Sequence, residues 1–148
     1  MNITQKLDKW AYAHHPRWID LLRIVLGIII FLKGFFFIRD TGKLVDMLRQ
    51  TNFEWVAFAL AHYVAFAHLV GGVMITIGLY TRLATVVQLP ILLGAVIFIN
   101  SGTGFFSLNS ELPFSILVLL LLAFFFVYGS GPSSADEALV QERKEENG

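Results

Sequence analysis

Four apolar stretches, each about as long as a bilayer is thick, leave this chain few ways to fold. They run over roughly residues 19–38, 55–79, 83–99 and 112–128. A hydrocarbon core about 30 Å thick takes about 20 helical residues, and a helix satisfies its own backbone hydrogen bonds in lipid. The fourth stretch, LPFSILVLLLLAFFFVY, carries no charge at all. Together the stretches fill more than half of the 148 residues, so little remains for a soluble domain. The sequence therefore predicts an all-α, integral membrane four-helix bundle forming a single domain over residues 1–148.

Composition agrees. Hydrophobic residues make up 56% of the chain and charged residues 15%, against about 25% charged in soluble domains. Eleven basic residues balance eleven acidic ones, which gives no case for nucleic acid as a partner. There is no cysteine, hence no disulfide, thiolate metal site or thiol relay within the chain. No Walker sequence, HExxH or nucleophile elbow is present. Gly129-Ser130-Gly131 follows a span instead of opening a strand–helix unit, so it is not a dinucleotide fingerprint. No catalytic residue and no metal site is predicted.

The flanks set an orientation. Residues 1–18 lack the pattern of a secretory signal, and Ile3, Leu7, Trp10 and Ala11 share a helical face beside Lys6 and Lys9. They are expected to form an interfacial helix with Trp10, Tyr12 and Trp18 at headgroup level. Lys6, Lys9, Arg17, Arg82, Arg143 and Lys144 fall on one side of the spans, and Arg39, Lys43 and Arg49 on the other. The positive-inside rule then places both termini in the cytoplasm. Lys43–Arg49 reads as a short amphipathic helix on the outer surface, and Thr51–Glu54 as a capping box for the second span. Residues 100–110 form a Gly/Ser-rich loop around Phe105 and Phe106, and residues 133–148 a cytoplasmic tail. Ser134-Ala135-Asp136-Glu137 is a capping box for a short tail helix.

Polar residues inside spans are expensive and turn towards the bundle interior or water. Counted from the span ends, they sort into two layers. The inner one holds Arg23 and Gln88, with Asp136 near it. The outer one holds Lys33, His62, Glu54, Glu111 and Asn100, with His68 beneath. One reading makes Lys33, His62, His68, Asn100 and Glu111 the polar end of a pocket for an amphipathic molecule such as a quinone. A neutral imidazole can donate to a carbonyl and relay a proton. The other reading has Lys33 snorkelling to the interface while the histidines bridge helices. His62 and His68 stand six residues apart, about 120° off-face, so they do not share one haem or metal on a straight helix.

Gly27 and Gly34 lie seven apart on one face of the first span. Gly71, Gly72 and Gly78 line the second, and small residues of this kind let membrane helices approach closely. Pro90 is expected to kink the third span.

Three motifs carry a family resemblance. Leu22-Arg23-Ile24-Val25-Leu26-Gly27 followed by Phe31-Leu32-Lys33-Gly34 resembles the first helix of the DoxX family, small four-helix membrane proteins of bacteria and archaea. The run from His68 through Gly71-Gly72 to Gly78-Leu79-Tyr80-Thr81-Arg82 is similar to that family's second-helix signature. Gly129-Ser130-Gly131-Pro132-Ser133-Ser134-Ala135-Asp136 is similar to its closing Gly-x-Gly-x-x-Ser-x-Asp. The resemblance spans roughly residues 21–136. Many members carry Glu where this chain has His68, so a carboxylate role does not carry over to that position.

The resemblance implies a prokaryotic cytoplasmic (inner) membrane and a link to quinone-coupled respiratory sulfur oxidation or oxidative stress. From the motifs' shared side we expect Asp136 to fold back onto Arg23. The leading expectation is a non-catalytic or accessory subunit of a membrane redox system. It would bind a quinone-like molecule, dock a redox partner protein and sit in the bilayer, with a homo-oligomer compatible with its apolar surface. The alternatives are a small solute or lipid carrier and a purely structural assembly factor.

Overall fold

The structure, a computed structural model, describes residues 17–50, 54–100, 111–131 and 134–146. The interfacial segment before Arg17, the start of the expected capping box at Thr51 and the loop around Phe105 lie outside the described residues. Four long helices form the body. They are α1 (Arg17–Arg39), α3 (Ala57–Ile77), α4 (Thr81–Gly94, continued by a π-helical stretch Ala95–Asn100) and α5 (Leu112–Tyr128). A short α2 (Thr41–Arg49) follows α1, a 3-10 turn (Glu54–Val56) precedes α3, and α6 (Ala135–Glu146) closes the chain. Three helices have 18 or more apolar-rich residues, and α5 has 17. At 1.5 Å per residue, α5 spans about 25 Å, the short end of the bilayer range.

Burial runs opposite to that of a water-soluble protein. Trp55, Phe66, Leu120 and Leu21 are all more than 60% exposed, while Thr81, Thr85 and Gln88 are wholly buried. With lipid as the solvent, large apolar side chains have no reason to hide, and polar ones do. The bundle is thus a multi-pass helical membrane protein.

Glycines decide which helices touch. A Cβ added at Gly27 would lie against Thr76 Oγ1 and 2.6 Å from the Thr76 nitrogen; one at Gly34 would lie 2.7 Å from the Leu69 nitrogen. A Cβ at Gly72 would stand 2.7 Å from Phe31 Cα. So α1 and α3 pack backbone to backbone, an approach open only to glycine. α4 packs against α3 and α5, and a core of Leu26, Ile30, Ile75, Leu122 and Phe125 fills the space between.

The two ends of the bundle differ. At the proximal end, where α1 begins and α5 finishes, the α3–α4 turn meets the start of α6. At the distal end, α2 lays Leu44, Val45 and Leu48 on Ala57 and Ala61 of α3, with Phe37 packed alongside. Its Lys43, Met47 and Arg49 stay exposed, the split of an amphipathic surface helix.

Candidate functional site

The proximal end gathers all three motifs onto one turn. α3 stops at Gly78, whose φ of 73° suits glycine, and the Leu79 N–H reaches back 2.9 Å to the Met74 carbonyl. The next residue but one, Tyr80, is also left-handed (φ 45°, ψ 43°), a conformation that costs a side-chain-bearing residue about 1–2 kcal/mol. Asp136 supports it. The Tyr80 N–H donates to Asp136 Oδ1 at 2.8 Å, and the Asp136 N–H donates to the Gly78 carbonyl at 3.2 Å. The first turn of α6 is closed by the capping-box hydroxyl, with the Glu137 N–H 3.3 Å from Ser134 Oγ. That hydroxyl itself donates to the Gly131 carbonyl at 2.7 Å.

Arg23 is buried at the same level. Its guanidinium donates to Asp20 Oδ1 at 3.2 Å and to the Ser130 carbonyl. A Cβ on Gly78 would stand 3.1 Å from Arg23 Cζ. Arg23 and Asp136 therefore converge on Gly78, but not as the direct pair expected. Asp136 is committed to the strained turn, and Arg23 to the end of α5. Sequence reasoning could place both groups on one side of the membrane. It had no signal for the left-handed Tyr80 that claims the carboxylate. Arg82 completes the proximal cluster beside Gly129, 3.5 Å from the Val127 carbonyl, where a cation complements the end of a helix.

Gln88 is not at the depth of Arg23. Its amide donates to the Ala67 carbonyl at 2.6 Å, and it packs against Gly71. Those contacts lie seven to eleven residues before Gly78, about 10–16 Å along α3. Equal counts from two helix starts give equal depth only when the helices start level, and α1 starts beyond the α3–α4 turn. Gln88 thus shares the level of His68. Gln88 Oε1 and Thr81 Oγ1 are buried acceptors with no hydrogen-bond partner among the described residues.

The expected outer set divides. Lys33 Nζ meets Glu111 Oε2 at 2.6 Å and lies 5.9 Å from the Phe114 ring centroid, joining α1 to α5. His68 is buried in the α1–α3 seam, its Cβ against Gly34 and its ring edge-on to Phe37 at 5.4 Å. Gly34 places Lys33 near the same level, so Lys33, Glu111 and His68 share one band of the bundle. His62 does not join them. It sits on an exposed face of α3, with Nδ1 2.8 Å from the Phe58 carbonyl and its ring tilted on Phe58. From the sequence both histidines are expected in the pocket, their offset of about 120° excluding only one shared haem or metal. The Asn100 side chain, like that of Glu54, lies outside the described residues. Among the described residues no three His, Asp or Glu side chains cluster to hold a metal ion.

Apolar helices of spanning length, polar groups turned inward and a clasp at one end define a small multi-pass membrane protein. The chain belongs to the DoxX family, whose family model matches residues 18–101, more than half of it. Two of the three motifs fall inside that match, and the closing Gly129–Asp136 motif lies beyond it. No curated protein and no solved structure matches the chain.

Proposed function

We propose that this DoxX protein is a non-catalytic accessory subunit of a membrane redox system, holding a quinone-like lipophilic molecule and docking a redox partner protein. The observation that supports this reading is His68. A polar ring is set 4% exposed inside an apolar seam, edge-on to an aromatic, in the band that also holds the Lys33–Glu111 pair. A flat ring with a polar edge fits such surroundings, with Phe37 offering an aromatic edge and His68 a hydrogen-bonding nitrogen. Asn100 remains a proposed member of the same site, and His62 is dropped from it. We place the protein in a prokaryotic inner membrane with its proximal end cytoplasmic, as the basic residues suggest.

The test is mass spectrometry of organic extracts from protein purified in mild detergent. Wild type and His62→Ala are expected to retain a quinone-type molecule, counted as quinone plus hydroquinone, in stoichiometric amount, and His68→Ala to lose it. Retention no greater than that of an unrelated four-span protein would sink tight quinone binding. A structural assembly role is the second reading, and the proximal clasp favours it because its polar groups are spent on one another. Intact activity of the parent complex after His68→Ala would support that role.

A further inference from the structure

His68 Nδ1 lies 2.8 Å from the Val64 carbonyl, one turn back on its own helix. A carbonyl oxygen only accepts, so Nδ1 carries the proton of that contact. An uncharged imidazole has one donor and one acceptor, and here the donor is used within α3. Nε2 is left as the acceptor, with no hydrogen-bond partner among the described residues. The ring is therefore not set up to donate to a carbonyl, which is what a bound quinone would ask of it.

An acceptor in apolar surroundings gains from an O–H donor and gains nothing from a second lone pair. The nearby cation does not reverse this, because Lys33 directs its ammonium to Glu111 at 2.6 Å. Resting on the reading of His68 as the polar end of a lipophilic site, we propose that this site selects a hydroxyl-bearing aromatic, such as the hydroquinone form, over the dicarbonyl form of the same ring. Recognition breaks no covalent bond. The hydroxyl keeps its proton and shares it with Nε2.

Three probes on one tetramethyl ring test the proposal: duroquinol, duroquinone and the bulkier dimethyl ether of duroquinol, which lacks a donor; the duroquinol–duroquinone pair carries the comparison. Binding to wild type in nanodiscs is measured under anaerobic conditions. Duroquinol is expected to bind about tenfold more tightly than either of the others, the worth of one hydrogen bond. In His68→Gln, whose amide both donates and accepts, that preference should collapse, whereas His62→Gln should keep it. Equal saturable binding of duroquinol and duroquinone by wild type overturns the selectivity and leaves the lipophilic site standing. Absence of saturable binding by all three overturns the site itself. The wild-type comparison stands even where His68→Gln does not fold.

Discussion

At the proximal end the Arg23 side chain is 3% exposed and bridges α1 to the segment after α5, whereas at the distal end the Lys33–Glu111 pair is 33% and 65% exposed. Both fasten the first span to the fourth, Arg23 through the Ser130 carbonyl beside an ion pair within its own helix and Lys33 through an ion pair between helices, and their physical situations differ. A buried guanidinium cannot fall back on water if its partners are removed, so losing it strands its acceptors. A part-buried lysine on a long flexible stem can carry its ammonium to other polar groups nearer the membrane surface, so it depends less on one partner. The proximal end thus has the character of a clasp, and the distal end that of a loosely fastened rim. The band that holds Lys33 also holds the buried ring of His68.

The largest expected effect tests what lies beneath both ends. Gly27→Leu should separate α1 from α3 and cost at least about 3 kcal/mol, read by thermal unfolding in detergent. Gly42→Ala and Gly94→Ala meet nothing within 4 Å and should be neutral or slightly stabilising, because both sit within helices. Next comes the clasp. Arg23→Ala should cost about 3 kcal/mol by removing the buried charged donor that the Ser130 carbonyl and Asp20 share. A loss below about 1 kcal/mol would erase the contrast between the ends.

Asp136→Ala should cost about 1 kcal/mol and expose the Gly78–Arg82 turn to proteolysis. In a Tyr80→Gly background, where the left-handed turn comes without strain, the same change should cost less; additive losses would show that the carboxylate does not hold Tyr80. Arg23→Ala and Asp136→Ala should not behave as a direct ion pair. At the other end, Lys33→Ala should cost less than Arg23→Ala, because the Lys33–Glu111 pair is only part-buried and its long stem can follow other polar groups. His62→Ala should be smallest of all, without measurable effect on stability or on any retained ligand.

The polar residues show where sequence reading carries and where it stops. Glycines seven apart on one helix face were legible as a contact, since helical periodicity alone fixes which residues share a face. The offset of His62 from His68 was legible for the same reason. The depth of Gln88 was not, because it depends on how far α1 is shifted along the bundle axis relative to α4. The partner of Asp136 was equally hidden, since it is a backbone N–H freed by a left-handed tyrosine.

The sequence alone determined that this chain crosses a membrane as helices, which faces are small enough to pack, and which family it joins. Those properties are local: apolar length, residue period and short motifs. The tertiary structure decided that three separate motifs meet at Gly78, that Gln88 lies level with His68, and that His62 stands outside. It also fixed that His68 Nδ1 is engaged by the Val64 carbonyl within its own helix. Such facts turn on axial offsets between helices and on which backbone groups a turn leaves open, and no spacing within one helix encodes either.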